Sequence, residues 1–402
     1  MKQLKRIVER IIESMLTVSG AITSIVILLI IVFLFKEGFG LFSSPSVEKG
    51  YSLYTNSHNP VNELKAFDIK HIFDEKITNW NEVGGADEKI ITFRFDEIFK
   101  RFPDDELEKN RELIPIRLAE VIAANPNIVA FLPQKFAPKN VKDVKELTTR
   151  NISISDFFGG KEWIPTATPS PLFGMLPLIL GTLLVSLFAI LVALPLGLGV
   201  AVYLSELASE RMRKFMKPTI ELLAGIPSVV YGFFGLVVLV PIVQKTLNLS
   251  VGETAFTGSL ILAIMALPTI ITVAEDAMRN TPRTMREASL ALGATHWQTI
   301  YRVVIPYSAS GISAAVVLGI GRAIGETMAV LMVTGNAAVM PTSLFQPVRT
   351  IPATIAAELG ETPAGSSHYQ ALFLLGCILF IITMIISITA EVISKKQHNK
   401  GL

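Results

Sequence analysis

Cysteine is almost absent from this 402-residue sequence: Cys377 is the single example, and it lies inside an apolar run. A disulfide framework and a thiolate metal site are therefore excluded. The five histidines (His58, His71, His296, His368, His398) are scattered without metal-ligand spacing, so no metal site is expected from them either. Charge is sparse too. Only 17% of residues are charged against 50% hydrophobic, and the mean hydropathy is +0.51. Soluble domains carry about 25% charged residues. No GxxxxGK[ST] phosphate loop, nucleophile elbow or HExxH pair occurs. The chain is thus not expected to hydrolyse ATP itself or to be an enzyme. No nucleic-acid partner is expected.

Long apolar runs take the place of these features. At about 20 apolar residues per crossing, six stretches qualify, at approximately 15–35, 173–204, 219–243, 257–275, 309–335 and 369–393. The second is longer than one crossing needs, and Pro195, Gly197 and Gly199 predict a bend or an interfacial extension. Lys2, Lys5, Arg6 and Arg10 precede the first, as in a cleaved secretory leader. Its apolar run exceeds a leader's roughly 7–15 residues and no small-x-small cleavage site follows it cleanly, so an uncleaved anchor is expected. Orientation is set by lysine and arginine placement. Basic groups sit at the N-terminus, at 211–217 (Arg211, Arg213, Lys214, Lys217), at 279–302 (Arg279, Arg283, Arg286, Arg302) and at Lys395, Lys396 and Lys400. Alternating six crossings puts all four groups, and both termini, in the cytoplasm, with 37–172, 244–256 and 336–368 outside. The fold class is an all-α polytopic membrane protein in contact with lipid, carrying a small α/β extracytoplasmic insertion. Its parts are a tail and first crossing at 1–36, the insertion at 37–172, a five-crossing core at 173–394 and a tail at 395–402.

Within the insertion, "VNELKAFDIKHIFDEKITNWNEVGG" predicts a helix running into a turn at Gly84-Gly85, and "KIITFRF" a strand after it. "IPIRLAEVIAANPNIVAFLPQ" predicts a helix, then a strand, and "FAPKNVKDVKEL" a polar connection and a short helix. "IKHIFDEKITNWNEVGGADEKI" and "NPNIVAFLP" resemble segments of periplasmic phosphate-binding proteins. After the strand that family supplies a Ser-Gly-Thr turn for phosphate, whereas this chain has "FDEIFKRF", and Asp96 and Glu97 would repel an anion. The insertion is expected to be a shortened derivative that does not bind phosphate. It serves either to dock a binding protein or as a structural element.

The most specific motif is "REASLALGATHWQTIYRVVIPYSASGI", residues 286–312. Thr284 with Glu287, and Thr295 with Gln298, have capping-box spacing. Gly293 is a natural terminator between the two helices so defined, and Pro306 and Gly311 punctuate the entry to the fifth crossing. The result is a compact knob, mildly apolar at Trp297, Ile300 and Tyr301, suited to docking. Its spacing resembles the EAA loop of ABC importer permeases, with Glu287, Ala288, Gly293, Ala294, Pro306, Gly311 and Ile312 matching and Ser289 replacing the second alanine. That resemblance implies that the loop seats in a groove of a cytoplasmic ATPase.

"GIGRAIGETMAV", residues 319–330, places Arg322 and Glu326 inside an apolar crossing. Its GxGxxxG spacing lies in a span without a preceding strand, which rules out a dinucleotide fold. Four residues apart, the two charges would share a helix face about 6 Å apart along the axis. Counting from Ala309, Arg322 lies roughly 20 Å in, close to the midplane. A structural ion pair on a helix is worth only about 0.3–0.5 kcal/mol in water, against roughly 2.5–3.5 kcal/mol to insert one charge. An anion path is therefore expected, with the Arg322 fork contacting the anion and Glu326 holding the fork when the path is empty. Gly321 and Gly325 have GxxxG spacing, and Pro227, Ser228 and Gly232 in "AGIPSVVYGFFG" allow a kink. These five residues line the path, form an interface with a partner, or simply pack helices.

Together, "GIPSVVYGFFGLVVLVPIV", the 286–312 loop, "GRAIGETMAVLMVTGN" and residues 157–206 resemble the permease family of phosphate ABC importers, the PstC type. The resemblance covers the first crossing and nearly everything after residue 151; the large insertion is the departure. It implies a type I importer fold, inorganic phosphate as substrate, and Arg322 and Glu326 as the charged translocation residues. The partners it implies are a PstA-like second permease, two PstB-like ATPases holding ATP and Mg, and a PstS-like phosphate-binding protein in the periplasm of a cell with an inner membrane. No cofactor is expected on this chain. A permease for sulfate, molybdate or tungstate is the nearest alternative, and a phosphate sensor without transport or a self-contained channel are more distant ones.

Overall fold

The computed structural model describes residues 2–102, 112–138 and 141–398; Lys400, expected in the basic tail, lies outside the described residues. Two compact units divide the chain: Met1–Gly38, Pro177–Ala364 and Leu372–Leu402 form one, and Phe39–Leu176 with Gly365–Ala371 form the other. The first helix, α1 (Lys2–Phe39), contains the expected first crossing, and its apolar side chains from Ile12 to Phe33 are largely exposed.

The second unit is built on a four-stranded sheet. In chain order its elements are β1 (Tyr51–Asn56), β2 (Glu63–Leu64), α2 (Ala66–Phe73), β3 (Ile91–Arg94), α3 (Leu113–Ala123), β4 (Ile128–Pro133), β5 (Val144–Glu146), β6 (Thr148–Thr149), α4 (Ile154–Gly159), β7 (Trp163–Ile164) and β8 (Leu172–Phe173). The sheet order is β3-β4-β1-β5, with β4 and β5 antiparallel to β1 and β3 parallel to β4. Alternation along the strands feeds two cores. Leu53, Val129 and Phe131 join Ile69, Ile72 and Trp80 on one face. Tyr54, Ile128, Ala130 and Leu132 join Phe93, Leu118 and Ile122 on the other. A strand buried on both faces reads as a continuous apolar run, which is why "IVAFLP" lacks polar alternation. Two expectations need correction. The first helix starts at Ala66 rather than near 61, because Glu63–Leu64 pairs with Thr148–Thr149. The short helix expected at the end of "FAPKNVKDVKEL" is instead β5, which satisfies the backbone of β1 on its second edge; residues 139–140 of that stretch lie outside the described ones.

The other unit continues with α5 (Leu176–Val202), which contains Pro195 and runs on through a wider turn at Tyr203–Leu207. The third crossing is shorter than expected. Residues 219–224 belong to an amphipathic helix, α6 (Glu210–Ala224), capped at its start by the Ser209 hydroxyl. Gly225 and Pro227 end it, and the crossing itself is α7 (Ser228–Phe234) running through Gly235–Leu239 into α8 (Val240–Thr246). Next comes α9 (Ala255–Arg279), capped by Thr254. The segment 286–312 supplies α10 (Arg283–Ala291) and α11 (His296–Thr299) and leads into α12 (Ala309–Gly325) and α13 (Met328–Val333). The 336–368 segment contains α14 (Ile351–Glu358), tied to α5 by a hydrogen bond from Ile351 N–H to Thr182 Oγ1 at 2.9 Å. The last helix is α15 (Ser367–His398). Five described helices are long and apolar enough to cross a membrane, or six if His296–Tyr307 and Ala309–Gly325, bent by 72°, count as one span.

Candidate functional site

Arg322 and Glu326 do not share a helix face. Gly325 closes α12, and Glu326 adopts an extended backbone (φ −70°, ψ 131°) before α13 starts at Met328. The expected contact is absent: no ion pair joins them among the described residues. Each charge instead sits at the helix end that suits it. Arg322 lies in the last turn of α12, where unsatisfied carbonyls carry partial negative charge. Glu326 accepts the Ala329 N–H at 3.5 Å, inside the first turn of α13. Such placements are worth about 0.3–1 kcal/mol each at exposed sites and up to ~2 when partly buried. The Thr327 hydroxyl donates to the Gly325 carbonyl at 3.2 Å, satisfying one of the groups the break frees. Arg322 itself has one hydrogen bond among the described residues, Nη1 to Thr269 Oγ1 of α9 at 3.3 Å. The Tyr231 hydroxyl of α7 donates to the Leu223 carbonyl at 2.8 Å. A cavity of about 470 Å³ adjoins the break, lined by Gly325, Thr327, Pro352, Ile355 and Leu379 among others.

Why α12 can bring Arg322 against α9 is visible in its small residues. Gly311, Ala315, Gly319 and Ala323 recur every four positions, and all four are matched by close neighbours or burial. A Cβ on Gly311 would overlap the Ala277 methyl. One on Gly319 would lie 2.7 Å from Ile270 Cγ1, and one on Gly197 of α5 would lie 2.8 Å from Ile270 Cγ2. Ile270 is thus held between two glycines of two neighbouring helices. The GxxxG pair singled out in the sequence, Gly321 and Gly325, is not the packing stripe: no atom of the described chain lies within 4 Å of a Cβ at either. Gly232 does pack internally, against Met332 Sδ and Ala329 of α13. Pro227 precedes α7 in an extended conformation, with Ser228 as its first residue.

The 286–312 segment folds into the expected knob with one difference. Thr295 and Gln298 form the capping box, and Gly293 turns the corner at φ +85°. Thr284 is not a cap, because Pro282 precedes α10 and the helix already begins at Arg283. The Ser289 hydroxyl meets that of Thr299 at 3.0 Å, joining α10 to α11. Arg286 fastens the knob to the span ends: it donates to Glu206 Oε1 at 2.7 Å and to the Thr281 and Met278 carbonyls at 2.8 and 2.9 Å. Outward, Leu292 is 89% and Trp297 61% exposed, with Glu287 and Ala288 also exposed and Ala294 half-buried. Pro306 falls in the single turn Ile305–Tyr307 before the bend.

Residues 193–399, which include the knob, the bend and the break, match the family described as the binding-protein-dependent transport system inner membrane component. The chain belongs to that family. A probable ABC transporter permease protein, YqgH, of Bacillus subtilis (strain 168) is 38% identical over 277 residues, covering 69% of this chain and 87% of the relative. The phosphate transport system permease protein PstC of Mesorhizobium japonicum is 41% identical over 249 residues, covering 57% and 75%. That of Pasteurella multocida is 37% identical over 265 residues, covering 61% and 81%. The chain is an ABC transporter permease subunit, a multi-pass inner-membrane component and not an enzyme.

Two features of this permease were not legible as sites in its sequence. Glu275, at the end of α9, is 1% exposed yet carries a carboxylate. Lys217 reaches it at 2.6 Å, and Arg213 and Arg279 at 3.6 Å each, while Lys217 also holds Asp276 at 2.8 Å. The basic run before the third crossing therefore faces inward in part, clamping α6 to α9. Only the spacing of Glu275 and Arg279, four apart, hinted at this. In the α/β unit, the segment after β3 turns into Phe95–Glu97, and the Glu97 carboxylate accepts the Arg94 backbone N–H at 3.0 Å. A donor that an anion would use there is already taken.

Proposed function

We propose that this permease carries inorganic phosphate into the cell along a path that passes Arg322. The observation that carries the reading is an arginine about 20 Å into a crossing, at a helix break, with one hydrogen bond to a neutral hydroxyl and no carboxylate partner among the described residues. A charge so placed is costly unless it faces a path or an aqueous cavity. The names of the two PstC relatives supply the substrate class. Phosphate keeps a proton near neutral pH, so it both donates and accepts hydrogen bonds; Glu326 is suited to accept that proton's bond.

The same reading defines the working unit. A PstS-like protein delivers phosphate outside. A PstA-like permease covers the open face of α12 at Gly321 and Gly325. Two PstB-like ATPases hold ATP and Mg, and their closure pushes the knob at Leu292 and Trp297. Arg286 passes that push to Glu206 and to the end of α9. Both termini are cytoplasmic, by the placement of lysine and arginine. The test is labelled-phosphate uptake in cells relying on this system, comparing wild type with Arg322→Gln at matched membrane abundance, with excess sulfate or molybdate in parallel. Uptake lost in the variant and indifferent to the competitors is expected. Wild-type uptake in Arg322→Gln refutes the path, and strong competition moves the substrate to another oxyanion.

A further inference from the structure

We propose that the hydroxyls of Thr269 and Thr272 are the next anion contacts after Arg322, so that the path descends one face of α9 toward the knob; this rests on the reading that Arg322 contacts the transported anion. Hydroxyls inside apolar helices ordinarily donate to a carbonyl one turn back. Three buried hydroxyls of α5 and α9 do so: Thr182 to Leu178, Ser186 to Thr182 and Ser259 to Ala255, each at 2.7 Å. Thr269 and Thr272 depart from the pattern. Thr269 accepts from Arg322 and, among the described residues, donates to no group. Thr272 makes no hydrogen bond among the described residues. Both residues are half-buried, and the Thr272 hydroxyl is not sealed away from open space. Two donors inside a crossing therefore lack acceptors among the described residues.

Their placement gives them a direction. Residues three apart lie on one helix face, about 4.5 Å apart along the axis. Four residues further the same face carries Asp276, which Lys217 holds at 2.8 Å. One face of α9 thus runs from the Thr269 hydroxyl, which meets Arg322, past the Thr272 hydroxyl, to the cluster of Arg213, Lys217 and Arg279. The two carboxylates of that cluster, Glu275 and Asp276, are engaged by these cations and do not stand as free negative charge against an arriving anion. The chemistry suits a hand-off. An arginine fork is always charged and binds an oxyanion firmly, whereas conduction needs sites weak enough to release it. A hydroxyl is such a site. It donates to a phosphate oxygen and accepts from the phosphate's own O–H. In the empty path Thr269 holds the guanidinium; when the anion arrives, its hydroxyl turns to donate to it. Thr269 is therefore both a positioning residue and a contact, in the role the sequence suggested for Glu326.

The experiment is the concentration dependence of phosphate uptake by the complete transporter in cells, at matched membrane abundance, for Thr269→Val, Thr269→Ser, Thr272→Val and the control Arg322→Gln. Valine keeps the branched shape and removes the hydroxyl. Thr269→Val is expected to lower the ratio of maximal rate to KM about tenfold, chiefly through KM. Thr269→Ser should stay within about twofold of wild type. Thr272→Val should lower the maximal rate with little change in KM. Wild-type behaviour of both valine variants, with uptake lost in Arg322→Gln, overturns the proposal and leaves the Arg322 path standing. Equal loss in Thr269→Val and Thr269→Ser also overturns it, because the side chain would then act by shape. Wild-type uptake in Arg322→Gln refutes the underlying reading instead.

Discussion

Replacing Gly319 by alanine tests the contact that fixes α12 on α9. Its Cβ would lie 2.7 Å from Ile270 Cγ1 and 2.8 Å from Cδ1, and Ile270 is fully buried. Carbon atoms rest about 3.5–4.0 Å apart, so either α12 or the Ile270 side chain must yield by roughly 0.8–1.3 Å. Ile270 has little freedom, because Gly197 of α5 crowds its other branch. Overpacking of this kind costs about 1–3 kcal/mol, from which up to ~1 kcal/mol is recovered through alanine's better helix propensity. The Arg322–Thr269 bond, already 3.3 Å, would stretch past hydrogen-bond range if α12 moved. The assay is thermal unfolding of the assembled transporter in lipid nanodiscs, with phosphate uptake beside it. The partner variant Ile270→Ala removes both crowding atoms and alone costs about 2–5 kcal/mol. In combination the two should be less harmful than their sum by about 1–3 kcal/mol, or roughly 2–4 °C of midpoint per kcal/mol in a unit of this size. Strict additivity, or a Gly319→Ala protein as stable and active as wild type, would refute the close approach.

The charged contacts near the knob set two further outcomes. Glu206→Ala removes the partner of Arg286 and leaves that guanidinium with its two carbonyl bonds. A loss of about 1.5–3 kcal/mol in stability is expected, together with less phosphate moved per ATP hydrolysed; unchanged values for both would contradict the strut. At Lys217, burial pulls the ammonium pKa down, but hydrogen bonds to Asp276 and Glu275 outweigh it and raise the pKa. A raised folded-state pKa gives a contribution fully present below the unfolded value of about 10.5 and lost as pH rises through the higher folded value. The gap in unfolding midpoint between wild type and Lys217→Met should therefore stay constant from neutral pH up to about pH 10 and close above it; a gap that closes within that window, or does not close above it, refutes the clamp.

How far the sequence could be read depended on whether a signal was local. The knob was legible because its glycine corner and the Thr295–Gln298 box are properties of neighbouring residues. The crossings were legible because apolar length alone marks them. The break at Glu326 was not, since no proline marks it and "AIGETMAV" keeps a helical composition; only the placement of each charge at a helix end favours it. Packing faces were harder still. Gly321 and Gly325 match a motif and Gly311 and Gly319 do not, yet the second pair meets α9 because it shares a face with Ala315 and Ala323. Thr269 had no signal of its own, being one hydroxyl in an apolar helix until Arg322 is brought against it. In the α/β unit, β5 has a helix-like composition and is a strand because β1 had an open edge.

A continuous helix transmits torque, since each backbone bond ties a residue to one a turn away, and twisting one end turns the other. Between Gly325 and Met328 that ladder of bonds is interrupted. Backbone hydrogen bonds therefore do not couple a turn of α12 to α13, which is held by its own close contact with Gly232. The two halves of this segment are free to take headings of their own, and Arg322 stands on the last turn before they part.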